Sequence, residues 1–158
     1  MKSKKNNFKI GYIGMSHLGL CYLAATASKK INVIGYDQDK KKIKELKNSF
    51  KISIKEPFLK ETLKQNKQYI KFESNINYLN DCNIVFLSQD IETNNFGKSN
   101  LTLVNFYISQ IKKYLDKNIY LVILSQVRPG FTRKIKWPLE NLFYQVETLV
   151  FGNAIKRA

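Results

Sequence analysis

Lys9-Ile10-Gly11-Tyr12-Ile13-Gly14-Met15-Ser16-His17-Leu18-Gly19-Leu20 opens as an apolar strand, breaks at a glycine turn and runs into Cys21-Tyr22-Leu23-Ala24-Ala25-Thr26-Ala27, a small-residue stretch that reads as a buried helix. Ile31-Asn32-Val33-Ile34-Gly35-Tyr36-Asp37 follows, a second strand that closes on an acid. A dinucleotide site requires this order. The first glycine turns the chain sharply off the strand. Small residues let the backbone approach a diphosphate, which then sits at the N-terminus of a helix. The acid at the tip of the second strand accepts hydrogen bonds from a ribose, and Asp37 falls close to the expected spacing of about 20 residues.

Gly14 and Gly19 fill the outer places of G-x-G-x-x-G, but Ser16 stands where the middle glycine belongs. Its side chain either crowds the diphosphate or brings a hydroxyl near it. The same residues also suit a plain βαβ unit whose glycines serve close packing alone, so the rest of the chain has to choose.

With 158 residues, the chain suits one domain with a sizeable core. A hydrophobic share of 44% against 25% charged residues marks a globular protein. Cys21 and Cys82 lack metal-ligand spacing and read as small apolar core residues of a reducing compartment, so no metal is expected. Lys2, Lys4 and Lys5 ahead of an apolar stretch superficially suggest a secretory leader. Gly11, Gly14, Ser16, His17 and Gly19 interrupt that stretch, and cleavage would discard the first strand and helix. No run reaches the ~20 apolar residues of a membrane span. The expectation is a cytoplasmic protein.

The formal charge of +15 raises the question of nucleic acid, because clustered cations release phosphate counterions. The excess is mostly lysine, scattered over nearly every polar segment. Lys40-Lys41-Lys42 and Lys44 flank the inward positions Ile43 and Leu46 as a solvated helix face. A basic nucleic-acid-binding protein is therefore the least favoured alternative.

Further along, strands and helices alternate. An amphipathic helix is expected over residues 39–48, capped by Asp39. A short helix with Pro57 in its first turn runs to about residue 65, and residues 69–72 form a strand. Ser74 caps a brief helix containing Ile76 and Leu79. Residues 83–87 and 119–124 are unbroken apolar runs, as in parallel strands covered on both faces. Residues 101–115 form a helix by period, and a further helix is expected over about 131–142, with Trp137 packing and Pro138 kinking it. Residues 146–151 make a last strand or extended segment. The outcome is an α/β fold, a Rossmann-like doubly wound parallel sheet in one domain over residues 1–158. In such sheets the ligand lies beyond the carboxyl ends of the strands. The loops there (14–19, 37–39, 88–100 and 125–132) are polar or turn-rich, which favours a site over mere packing.

At these loops the chain resembles the N-terminal NAD-binding domain of the UDP-glucose/GDP-mannose, or nucleotide-sugar, dehydrogenase family. Ile13-Gly14-Met15-Ser16-His17-Leu18-Gly19-Leu20 stands for the family's I-G-x-G-x-x-G-L, and Asp37-Gln38-Asp39-Lys40-Lys41-Lys42-Ile43 for D-x-D-x-x-K-V. Lys55-Glu56-Pro57-Phe58-Leu59 resembles Y-E-P-G-L. Ser88-Gln89-Asp90-Ile91-Glu92-Thr93 with Gly97-Lys98-Ser99-Asn100-Leu101 resembles S-Q-D-V-P-T and G-x-S-D-L. Ser125-Gln126-Val127-Arg128-Pro129-Gly130-Phe131-Thr132 resembles S-T/Q-V-x-P-G-x-T, and Tyr144-Gln145-Val146-Glu147-Thr148-Leu149 has a look familiar from one branch. Ser16, Phe58, Glu92 and Arg128 depart from the pattern.

The resemblance implies NAD as cofactor. Gly14, Ser16, His17, Leu18 and Gly19 would cradle its diphosphate, with the Leu18 amide nearest. Asp37 would take the adenosine ribose with Lys42 beside it. Thr93 would touch the coenzyme, and Gln126 would lie near the nicotinamide. NAD is favoured over NADP because Asp37 repels a ribose 2′-phosphate. His17, the one histidine, would need an orienting neighbour to act as a base. None is evident, so it is expected at the solvent edge of the turn.

In the family a nucleotide sugar, UDP-glucose for example, is oxidised at C6 from alcohol to carboxylate with two NAD. The reaction passes through a thiohemiacetal and a thioester on a cysteine of a second domain. Neither Cys21 nor Cys82 matches that nucleophile. The chain is thus expected to carry no catalytic residue of its own and to be incomplete as a catalyst, with most of the sugar site and any oligomer contacts in the part it lacks. A stand-alone NAD-binding module is the alternative.

Overall fold

A computed structural model describes residues 8–158; the lysines at 2, 4 and 5 lie outside them. The apolar runs form strands β1 (Lys9–Ile13), β2 (Asn32–Tyr36), β3 (Ile70–Glu73), β4 (Ile84–Leu87), β5 (Tyr120–Ile123) and β6 (Leu142–Tyr144). They make one sheet in the order β3-β2-β1-β4-β5-β6, with parallel pairing throughout. Chain order reverses between β1 and β4, and that reversal opens a crevice at the carboxyl edge.

Because side chains alternate across a strand, each face of the sheet buries its own core. On one face Tyr12, Val33 and Phe72 pack against helix α1 (His17–Ser28), with Ile43 and Leu46 of α2 (Lys40–Ser49) and Leu59 and Leu63 of α3 (Leu59–Gln65). On the other, Ile13, Ile34, Val85, Leu87, Leu121 and Ile123 meet Val104, Tyr107 and Ile111 of α4 (Thr102–Tyr114). Helix α1 is buried on nearly every face, so a run of alanines and leucines suits it. Helix α2 has a narrow apolar stripe at Ile43 and Leu46, and Asp39 caps it by accepting from the Lys41 and Lys42 amides.

Tyr12, 2% exposed, stacks on Phe86, and its hydroxyl lies 2.7 Å from Thr26 Oγ1. Burial pushes its phenol up to about 12, so it stays neutral and hydrogen-bonded. Tyr12→Phe should cost about 1 kcal/mol. The midpoint of urea unfolding would fall with an unchanged slope.

The structure corrects two expectations about local elements. The helix expected over residues 131–142 is absent: short 3-10 turns at Thr132–Lys134 and Leu139–Asn141 flank a bend at Pro138, and β6 follows. Proline disfavours helical backbone in the residue before it and lacks the amide a helix interior requires. Trp137 packs as expected, but from this turn, donating through Nε1 to the Ile119 carbonyl at 3.2 Å. Of the two outcomes expected for residues 146–151, they take the segment outside the sheet and run on to a short helix, α5 (Ala154–Arg157). The second, smaller correction is the brief helix at Ile76–Asp81, which is 3-10 and capped by Asn75, whose side chain accepts from the Asn77 amide, rather than by Ser74.

Candidate nucleotide-binding cleft

The glycine turn sits at the reversal of strand order. Gly14 adopts φ +94°, left-handed backbone that a side chain disfavours, and its amide donates to the Tyr36 carbonyl at 2.9 Å. A Cβ on Gly19 would lie 1.9 Å from the Gly14 carbonyl oxygen, so α1 reaches the end of β1 only with glycine there. Both outer glycines of the motif are thus required by contact.

Ser16 does something the sequence did not foretell. Its hydroxyl donates to the Ser88 carbonyl at 3.2 Å and accepts the Asp90 amide at 3.0 Å. It therefore fastens the glycine turn to the loop after β4. Asp90 in turn accepts the Leu18 amide at 3.2 Å, supplying a carboxylate to a helix whose first turn contains no acid. This is the amide expected nearest a coenzyme diphosphate.

Asp37 lies at the tip of β2, 2% exposed, and accepts the Met15 amide at 3.0 Å and the Asp39 amide at 3.0 Å. Lys42 Nζ donates to it at 2.8 Å, so the two meet as expected. The Lys42 side chain is 40% exposed and covers the carboxylate from its outer side. Tyr107, its hydroxyl pushed up by burial and then by the charge of Asp37, backs the same strand tip.

A cleft of about 360 Å³ runs beside the turn, lined by His17, Leu18, Asp90, Gln126, Glu147 and Phe151 among others. Gln126 donates through Nε2 to Glu147, which also accepts the Leu149 amide. Thr93 is not among the lining residues. It forms an isolated bridge with Ser99 and borders a separate exposed depression. The structure thus gathers Gly14, Ser16, His17, Leu18, Gly19 and Gln126 around the cleft and its turn. Lys42 lines a separate depression with Met15 and Asp39, Asp37 is buried at the strand tip against the Met15 amide, and Thr93 lies apart.

His17 corrects another expectation. Far from the solvent edge, its side chain is 11% exposed, stacked on Phe151 at 4.2 Å and paired through Nε2 with Glu56 at 3.0 Å. Glu56, its side chain wholly buried, also accepts the amides of Gly152 and Ala154 at 3.1 and 2.9 Å. Burial alone would raise this carboxyl. The hydrogen bonds from His17, Gly152 and Ala154 outweigh burial and hold it below the usual carboxylate range.

Sequence reasoning gave Asp90, Glu56 and Glu147 no role of their own. The signal available was their scarcity: 12 acids stand against 27 Lys and Arg, and these three sit in loops or beside proline. Chemically, the turn can hold an anion or nucleotide through backbone amides. The described residues offer no thiolate nucleophile, because Cys21 and Cys82 are buried and their thiols are pushed up to about 12 by that burial.

Comparison with known proteins agrees with this geometry. Residues 8–150 match the model of the UDP-glucose/GDP-mannose dehydrogenase family, NAD binding domain. The chain is 30% identical over 126 residues to UDP-N-acetyl-D-glucosamine 6-dehydrogenase of Salmonella typhi, covering 80% of this chain and 29% of that protein. It is 30% identical over 137 residues to UDP-N-acetyl-D-mannosamine dehydrogenase of Methanocaldococcus jannaschii, covering 85% and 32%. The chain therefore spans about a third of these relatives' length. Among solved structures, a UDP-D-ManNAc dehydrogenase from Pyrococcus horikoshii superposes with a TM-score of 0.83 at 21% identity, over 95% of this chain and 38% of that one, and shares the fold.

Proposed function

The chain belongs to the UDP-glucose/GDP-mannose dehydrogenase family, and on that premise we propose that it is the coenzyme-binding portion of an NAD-dependent nucleotide-sugar dehydrogenase. The observation that carries this reading is the turn from Gly14 to Gly19, with the Leu18 amide at its helix end and Asp37 on the neighbouring strand tip, all at the reversal of strand order. The residues suit NAD. Backbone amides of the turn take the diphosphate, and Asp37 takes the adenosine ribose once Lys42 swings outward. Gln126 faces the nicotinamide end, and Thr93, which lies apart from the cleft, reaches the coenzyme only with a movement of its loop toward it. Bound NAD supplies the two-electron acceptor for the alcohol carbon; this chain's residues bind and orient it.

The substrate in this reading is a UDP-linked hexose oxidised at C6 to the carboxylate, in line with the names of the relatives above. With both described thiols protonated, the oxidation needs a nucleophile from beyond these residues. The setting is the cytoplasm, where the product would serve as a precursor of polysaccharide. No helix among the described residues is long and apolar enough to cross a membrane.

Thermal unfolding tests the coenzyme. A ligand at a hundredfold its Kd stabilises by about 2.7 kcal/mol, roughly a 5–10 °C rise in Tm for a chain of this size. NAD should give that rise, and NADP far less, since its 2′-phosphate meets Asp37. A flat response to both removes the reading.

A further inference from the structure

The turn that should receive a diphosphate already holds an anion of the protein's own. Asp90 Oδ2 accepts the Leu18 amide at 3.2 Å, and the Asp90 backbone is tied down by the Ser16 hydroxyl at 3.0 Å. A helix N-terminus favours negative charge and has few free amides to offer it. One carboxylate therefore satisfies what the diphosphate would satisfy. The surroundings sharpen the conflict. In a chain of formal charge +15, this cleft is lined by the two acids Asp90 and Glu147, with no lysine or arginine among the described residues. A diphosphate entering there meets repulsion where a basic protein would ordinarily attract it.

Building on the coenzyme reading above, we propose that Asp90 is an affinity-determining residue that occupies the diphosphate position as an internal competitor, and that Ser16 is the positioning residue that holds it there. The coenzyme binds by displacing the Asp90 carboxylate from Leu18, and the measured Kd includes that displacement. Serine at the second place of the glycine motif has a purpose in this arrangement. Glycine there would leave the Asp90 amide without its side-chain acceptor.

The test is titration calorimetry of the wild-type chain, Asp90→Asn and Ser16→Gly with NAD, ADP and adenosine. Asp90→Asn keeps the loop and an acceptor for Leu18 while removing the charge, and a thermal melt checks folding. The carboxylate's advantage at a helix terminus sets the scale, on the order of tenfold in Kd. NAD and ADP should bind Asp90→Asn about tenfold tighter than wild type and Ser16→Gly tighter by a smaller factor, with adenosine, which has no diphosphate, within twofold of wild type throughout. Equal NAD affinity in wild type and Asp90→Asn overturns the proposal and leaves the coenzyme reading intact. An equal gain for adenosine overturns it too, since the effect would not lie at the diphosphate. Absence of NAD binding at millimolar concentration in all three chains removes both the proposal and the coenzyme reading. Should Asp90→Asn fail to fold, Ser16→Gly decides by the same criteria.

Discussion

Replacing Gly19 with alanine should destabilise the fold by about 4 kcal/mol, among the largest effects a single methyl group can have. The added carbon would sit 1.9 Å from the Gly14 carbonyl oxygen and 2.9 Å from Ser88 Oγ. The first neighbour is backbone, fixed by the Gly14 amide bond to Tyr36, and cannot turn aside as a side chain tip does. Either α1 lifts from β1 along its buried length or the turn deforms. Chemical denaturation should show the loss, and Tm should fall by roughly 8–16 °C. Gly97→Ala is the control for open space. Gly97, unlike the helical Gly19, has left-handed backbone, φ +72°, but nothing lies near its added carbon, so only strain of about 1 kcal/mol is expected. Similar losses in the two variants would show that close approach of helix and strand is not what Gly19 provides.

Glu56→Ala should cost about 3 kcal/mol, because it strands three donors at once: the buried amide of Ala154 and the part-buried His17 Nε2 and Gly152 amide. Glu56→Gln keeps the volume and one acceptor and should cost less. The pH dependence separates charge from packing. The folded-state carboxyl lies below its ordinary value of 4.5. Its contribution is therefore fully present above that value and is lost as acidification passes through the lowered one. Measured from neutral pH downward, the stability gap between wild type and Glu56→Gln should hold steady and then shrink below about pH 4.5. A gap constant down to pH 3 would mean that the carboxylate's charge contributes nothing.

The sheet was legible because parallel strands buried on both faces leave unbroken apolar runs, as at residues 83–87 and 119–124. The turn was legible because contact forces glycine at two of its places. β6 was not. It is three residues long and half exposed at the sheet edge, so it shows neither an apolar run nor clean alternation. Residues 131–142 were read as one helix with Pro138 as a kink, when the proline marked a break. Asp37 and Lys42 were expected as a pair through the family resemblance, and they meet because five residues separate the tip of β2 from the first turn of α2. The acids that shape the cleft were not, because their partners lie far away in sequence. Asp90 meets Leu18 across 72 positions and Glu56 meets Ala154 across 98. Periodicity carries no information at that range.

Those long separations bear on how the molecule comes into being. The glycine turn leaves the ribosome well before residues 152–154, yet the carboxylate that tethers His17 recruits the amides of Gly152 and Ala154. Non-local pairings of this kind are slow to form and leave apolar surface uncovered while they wait. During synthesis the nascent chain would carry Tyr12 and Leu23 of its central strand and first helix until residues 152–154 emerge to seal Glu56. Its recognition surface is begun at the turn and closed only by residues far along the chain.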